Sequence, residues 1–153
     1  MHTGIEENDR KMIADGIEKI LANTYTIYLK TQHYHWNITG KEFYSLHLLF
    51  QKQYEELAET IDEMAERVRA LGFYPIGSFS LFLKNSEIKE ETETKLASDE
   101  ILRRLLKDHE TLIRIIRKHL PLVEKLHDGA TADFLNKRLD SHEKSAWMIR
   151  SSL

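Results

Sequence analysis

His35 and His47, followed further on by the one-turn pair Asp62 and Glu66, are residues of types and spacing that suit a metal ion. Imidazole nitrogen and carboxylate oxygen together hold iron, zinc or manganese. If a helix hairpin turns near Thr39 to Lys41, His35 ends the first helix and His47 starts the second, so the rings sit side by side. Asp62 and Glu66 lie one turn apart on the same face of that second helix. The fifteen residues from His47 to Asp62 put roughly 22 Å between them along the axis, too far for one ion. The same step rotates the helix to within about 60° of its starting direction, and the step to Glu66 to within about 100°. Histidine end and carboxylate end therefore face roughly the same way. A twofold axis across the middle of the helix would set His35 and His47 of one chain against Asp62 and Glu66 of another, giving two mixed sites per dimer.

Each of these residues also has an ordinary structural reading. A histidine beside Trp36 at a helix end can pack as an aromatic pair, and Asp62 and Glu66 can be solvated or belong to a surface ion-pair network.

The elements that must position them are helices. The 153 residues suit one domain with a single core. Lys plus Arg number 22 against 25 Asp plus Glu, a formal net charge of −3, so no overall field calls for nucleic acid or an acidic membrane. No apolar run is long enough for a membrane span, and MHTGIEENDRK lacks the basic start and apolar stretch of a secretory signal, so a cytoplasmic protein is expected. Without cysteine there are no disulfides, thiolate ligands or cysteine nucleophiles, and any metal must be held by nitrogen and oxygen.

Ile13, Ile17, Ile20, Leu21, Thr24 and Tyr28 recur at steps of three and four and predict a first helix from about Asn8 to Ile38, ended by Gly40. Phe43, Leu46, Phe50, Tyr54, Leu57, Ile61, Met64, Val68 and Leu71 predict the second, closed by Gly72 as a left-handed cap. The rhythm breaks around Pro75 and Gly77. FSLFL then makes one short helix that seals the core, and EIKEETETK reads as a solvated connection. A third long helix is expected after a Ser98 cap, running through Leu102, Leu105, Leu112, Ile116, Leu120 and Val123 to a stop at Asp128 and Gly129. Pro121 within it predicts a kink near Arg117 to Pro121. The fourth, capped by Thr131, carries Leu135, Leu139, His142, Ala146, Ile149 and Leu153 on one face. Four long helices with a long connection between the second and third make a bundle with a crossover. Di-iron bundles of this kind use two Glu-x-x-His motifs, whereas here only Glu124 and His127 fit, near a helix end, so a site inside one bundle is not expected.

The stretch HWNITGKEFYSLHLLFQKQYEELAETIDEMAERVRALG resembles the signature of the DNA-protection-during-starvation (Dps) family, the mini-ferritins. NTYTIYLKTQHYHWN before it, LGFYPIGSFSLFLK after it and DSHEKSAWMIRSSL at the end extend the resemblance over practically the whole chain. It implies an all-α, ferritin-like four-helix bundle with a short extra helix between the second and third, one domain over residues 1–153. It further implies a hollow homododecamer of tetrahedral symmetry that oxidises Fe²⁺, preferentially with hydrogen peroxide, at twofold interfaces and stores ferric mineral inside. By the same resemblance Asp62 and Glu66 of one subunit hold the first iron with His35 of its neighbour, and Glu66 bridges toward a second, weaker position near His47. A two-electron oxidant meeting two irons avoids releasing hydroxyl radical. Trp36 and Tyr44 are near enough in sequence to donate electrons, or simply to pack as aromatics. The resemblance places a negative threefold pore for iron entry at Glu124, Asp128 and Asp133. Asp133 is read equally as a favourable charge at the start of the fourth helix.

Two departures from the family pattern stand out. Gln51 replaces an acidic residue common one turn after the second histidine, which weakens the second iron position. Arg10 and Lys11 are offset by Glu6, Glu7 and Asp9, and the last helix runs almost to the C-terminus, so no Lys-rich tail is expected and DNA should bind only weakly. His109, His119, His127 and His142 show no ligand spacing and read as solvated or packed, and His2 lies near a start expected to fray. Two rivals to an iron-storing ferroxidase remain: a DNA-coating nucleoid protein with a weak or vestigial metal site, and a helical interaction module that merely shares the bundle.

Overall fold

The structure, a computed structural model, describes residues 3–153; His2 lies outside them. The described residues form five helices and no strand: α1 Glu7–Asn37, α2 Phe43–Ala70, α3 Phe79–Asn85, α4 Ser98–Lys125 and α5 Gly129–Arg150. α1 packs against α2, α3 and α4, and α4 against α5. His35 meets His47 while Tyr28 meets Tyr54, Ile13 meets His119 while Lys30 meets Asp108, and Thr60 meets Arg138 while Arg67 meets Thr131, so in each of these pairs of long helices the chains run antiparallel.

Most residues of the predicted stripes are the core, with corrections at three places: Phe43 is 44% exposed, Leu153 lies beyond the end of α5 and is 46% exposed, and of FSLFL only Phe82 is buried, so α3 seals the core through that one ring. Ile13, Ile17, Ile20, Phe50, Leu57, Met64, Val68, Leu105, Leu112, Ile116, Leu135 and Ile149 are all buried to 1% exposure or less. Full burial of such a side chain contributes about 1.5–3 kcal/mol. Gly72 (φ +98°) closes α2 as expected: its N–H reaches the Arg69 carbonyl at 2.9 Å and that of Phe73 reaches Val68 at 3.2 Å.

Three expectations about caps and connections need correction. Ser98 is the first helical residue rather than the cap; Ala97 stands there without a side-chain bond, and Asp99 and Glu100 place negative charge in the first turn. α5 begins at Gly129 and is capped by Asp128, whose carboxylate accepts from the Thr131 N–H at 3.1 Å, so Thr131 is capped rather than capping. Because Asp128 takes the cap, the chain must reverse just before it, and His127 does so in a left-handed conformation (φ +59°) uncommon for a residue with a side chain. α4 runs unbroken through Pro121 to Lys125.

The connection after α3 is not simply solvated. The Asn23 side-chain oxygen accepts from the N–H groups of Glu87 and Ile88 at 2.9 and 3.0 Å, and Ile88 is buried. Lys30 donates to the Lys89 carbonyl at 3.2 Å, and Glu91 is gripped by the Tyr34 hydroxyl at 2.7 Å and Arg104 at 2.9 Å. Burial works against the charged form of Glu91, but bonds from the Glu93 N–H, Tyr34 and Arg104 outweigh it and hold its carboxyl at about 2. Glu87, Lys89, Glu90 and Thr92 to Lys95 stay exposed, so the stretch is solvated on one side and anchored on the other.

Where α1 approaches α4, the His119 ring lies directly over Gly16 and shares a hydrogen bond of 3.2 Å with the Ile13 carbonyl. A Cβ at residue 16 would overlap that ring. Gly16→Ala is therefore expected to destabilise the fold by about 1–3 kcal/mol, the usual penalty for overpacking. Adding His119→Ala should recover much of the loss in urea denaturation; additive losses would mean the contact is not the cause.

Candidate metal centre

His35 lies in the last turn of α1 and His47 in the second turn of α2, across the reversal that Gly40 (φ +106°) allows. Their rings stack at 3.8 Å between centroids and 19° between planes. Each ring bonds the other's backbone: His35 Nδ1 to the His47 carbonyl at 2.8 Å, and His47 Nδ1 to the His35 carbonyl at 2.9 Å. The His35 carbonyl is free for this because it sits at a helix C-terminus. A carbonyl only accepts, so both Nδ1 atoms carry the proton and both Nε2 atoms present a lone pair, the arrangement that metal-ligating histidines need.

Tyr54 sets its edge against the His35 ring at 5.2 Å, and Phe43 leans on His47 at 5.1 Å. Sequence reasoning placed Tyr54 only in the core stripe. Its position seven residues after His47, two turns along the same face, was the available signal. Trp36 and Tyr44, by contrast, are 61% and 74% exposed. The ring contacts of His35 are His47 and Tyr54, so the reading of His35 and Trp36 as a packed pair does not hold within the chain.

Asp62 and Glu66 are exposed on α2, one turn apart, and among the described residues neither has a side-chain hydrogen bond or ion pair. Among the described residues, no group of three or more His, Asp or Glu converges to hold a metal ion within the chain. The histidine pair and the carboxylate pair thus stand toward opposite ends of α2. Gln51 is committed elsewhere, donating to Glu55 at 2.8 Å.

Of the three residues expected at an iron-entry pore, Glu124 and Asp133 are exposed and Asp128 is buried at 3%. Both Asp128 oxygens lie 2.8 Å from the Arg67 guanidinium, and the Thr131 hydroxyl bonds one of them at 2.5 Å. Burial opposes its charge, yet Thr131 and Arg67 hold the carboxyl below its ordinary range. Asp128 is therefore a structural anchor, not a free pore charge. The open groove between α4 and α5 is lined instead by Glu124 with Asp140 and Glu143, the last paired with Arg117. Asp140 falls two turns after Asp133, a spacing that sequence alone displays. His127 has left the helix, so Glu124 and His127 form no helical ligand pair.

Residues 14–153 match the model of the ferritin-like domain. A DNA protection during starvation protein of Porphyromonas gingivalis is 35% identical over 150 residues, covering 96% of this chain and 92% of that protein. This chain belongs to the Dps family. A low-temperature-induced protein of Nostoc is 40% identical over 152 residues, 99% of this chain and 85% of its own. The crystal structure of a Dps protein of Vibrio cholerae, described as a member of the ferritin-like diiron-carboxylate superfamily, superposes with a TM-score of 0.93 at 32% identity over 99% of this chain and 94% of that one. This Dps-family chain thus keeps the ferritin-like bundle, and no helix among its described residues is long and apolar enough to cross a membrane.

Proposed function

We propose that this Dps-family chain is an iron-storing ferroxidase that oxidises Fe²⁺ with hydrogen peroxide at sites shared between two subunits and stores ferric mineral in a hollow dodecamer. One observation carries the reading: two histidines locked with Nε2 free at one end of α2, and two unpartnered carboxylates at the other. Asp62 and Glu66 of one subunit and His35 of its neighbour hold the first Fe²⁺. The second position, near His47, is weaker because Gln51 brings no charge. Two Fe²⁺ each give one electron to one peroxide, whose O–O bond breaks to leave both oxygens at the level of water. In this reading Trp36 and Tyr44, exposed in the single chain, give an electron to stray oxidant.

Assembly has its own support. Leu29, Trp36, Phe79 and Leu83 are more than 40% exposed and line one groove of about 320 Å³ between α1 and α3. In this reading a neighbouring subunit covers these exposed apolar side chains. Glu124 and Asp133, with Asp140 beside them, supply the negative charge of an iron-entry pore. The deciding experiment loads Fe²⁺ without oxygen, adds peroxide, and follows mineral formation and peroxide consumption together, with particle size measured by light scattering. A monomer at micromolar concentration, or peroxide consumed without mineral, refutes the proposal.

A DNA coat is the second reading, favoured by one surface. Arg103, Lys107, Arg114 and Lys118 are all exposed along α4 at helical steps of four, seven and four. Attention to the termini alone misses this stripe. At physiological salt without divalent ions, little DNA retention is expected in an electrophoretic shift assay, because four contacts give a counterion-release slope of only about −3.6. Tight retention that Arg114→Glu with Lys118→Glu abolishes would favour the coat.

A further inference from the structure

His109 of α4 and His142 of α5 lie in the core, each 1% exposed. Their Nδ1 atoms are 3.0 Å apart, with ring centroids at 5.3 Å. One Nδ1 must carry a proton and the other accept it, so the neutral pair holds two different tautomers and shares a single N–H···N bond. Both Nε2 atoms are buried without a hydrogen-bond partner in the protein. Gln53 of α2 is buried too, with neither amide atom partnered. Since Arg138 meets Glu56 and Thr60 on the antiparallel α2, the next turn of each helix brings Gln53 to the level of His142.

The charges around this layer leave nothing to balance another proton. Arg138, one turn before His142, acts on it directly and is itself bonded to Glu56 at 2.5 Å. Asp108, beside His109 on α4, faces Lys30 of α1 at 2.7 Å. α2 offers Glu56, already engaged by Arg138, and the neutral Gln53.

We propose that the His109–His142 pair is an acid-sensitive latch between α4 and α5: closed while the pair shares one proton, and sprung when a second forces an imidazolium into the core beside Arg138. Burial holds His109 at about 3, and burial with His109 and Arg138 holds His142 well below its ordinary value. An opened chain takes up those protons near pH 6.5. The open form therefore binds more protons between roughly pH 6.5 and 3, so stability is full above that window and falls as pH drops through it. Each excluded proton raises the ratio of opened to closed bundle about tenfold per pH unit. Loosening α5 from α4 would open the groove that carries Glu124, Asp140 and Glu143. The latch itself does not rest on the iron reading.

The test is urea denaturation of the full chain from pH 7.5 to 4, for wild type and the His109→Leu/His142→Met double variant. The variant should be at least as stable as wild type at pH 7.5, since both partners of a buried bond are replaced together, and should lose most of the acid-side decline below pH 6.5. Parallel decline in both proteins overturns the proposal. Should the variant not fold, hydrogen exchange on wild type decides. Between pH 7 and 5, after correction for intrinsic rates, protection across residues 105–116 and 138–149 should fall at least about tenfold more than that of the α1–α2 contact. Uniform change across the bundle would equally overturn it.

Discussion

Asp62→Ala, Glu66→Ala and His35→Ala should each slow peroxide-driven iron oxidation by at least about a hundredfold, the upper range of what even outer partners of a metal cost. All three would hold the same ion. His47→Ala should cost less, and the geometry supplies the reason. The His35 ring is oriented by the backbone carbonyl of residue 47, which alanine retains, so its Nε2 stays free and aimed. Stopped-flow oxidation of anaerobically loaded protein, with far-ultraviolet circular dichroism to confirm folding, makes the comparison. Equal losses in all four variants, or none in any, would contradict these roles.

A loss of about 3 kcal/mol is expected from Asp128→Ala, because breaking a buried ion pair leaves a charge uncompensated and removes a helix cap as well. Arg67 would lose both 2.8 Å bonds and α5 its first capped N–H. The value sits at the low end of the range because the Arg67 side chain keeps 24% exposure. Asp128→Asn should lose less, since its amide oxygen still caps. The sign with pH follows from a carboxyl held below its ordinary value: its stabilisation is complete above about pH 3.9 and disappears as pH falls below that. Denaturation at fixed protomer concentration measures this, and a loss under 1 kcal/mol would show the pair to be idle.

What the sequence disclosed follows from where the information lies. The long helices were legible because Ile13 to Tyr28 and Phe43 to Leu71 repeat at a period that only a helix buries on one side. The meeting of His35 and His47 was legible because a short turn joins their helices. The Asp128 cap was obscured by Thr131, a residue equally able to cap, and only the hydrogen-bond direction separates them. Ile88 and Glu91 are turned inward by Asn23, Tyr34 and Arg104, partners more than ten residues away in the chain, so a window over the acidic stretch sees only charge. The meeting of His109 with His142 is likewise a product of packing between helices and leaves no local pattern.

The division of α2 into a histidine end and a carboxylate end reaches into genetics. A pair formed from one His35→Ala subunit and one Asp62→Ala subunit would contain one doubly broken site and one wholly intact site. Two inactive proteins, unfolded and reassembled together, should thus complement each other, regaining up to half of the wild-type rate within such pairs. A fold that carried its full ligand set inside each bundle could never show that recovery, since every subunit would keep its own defect.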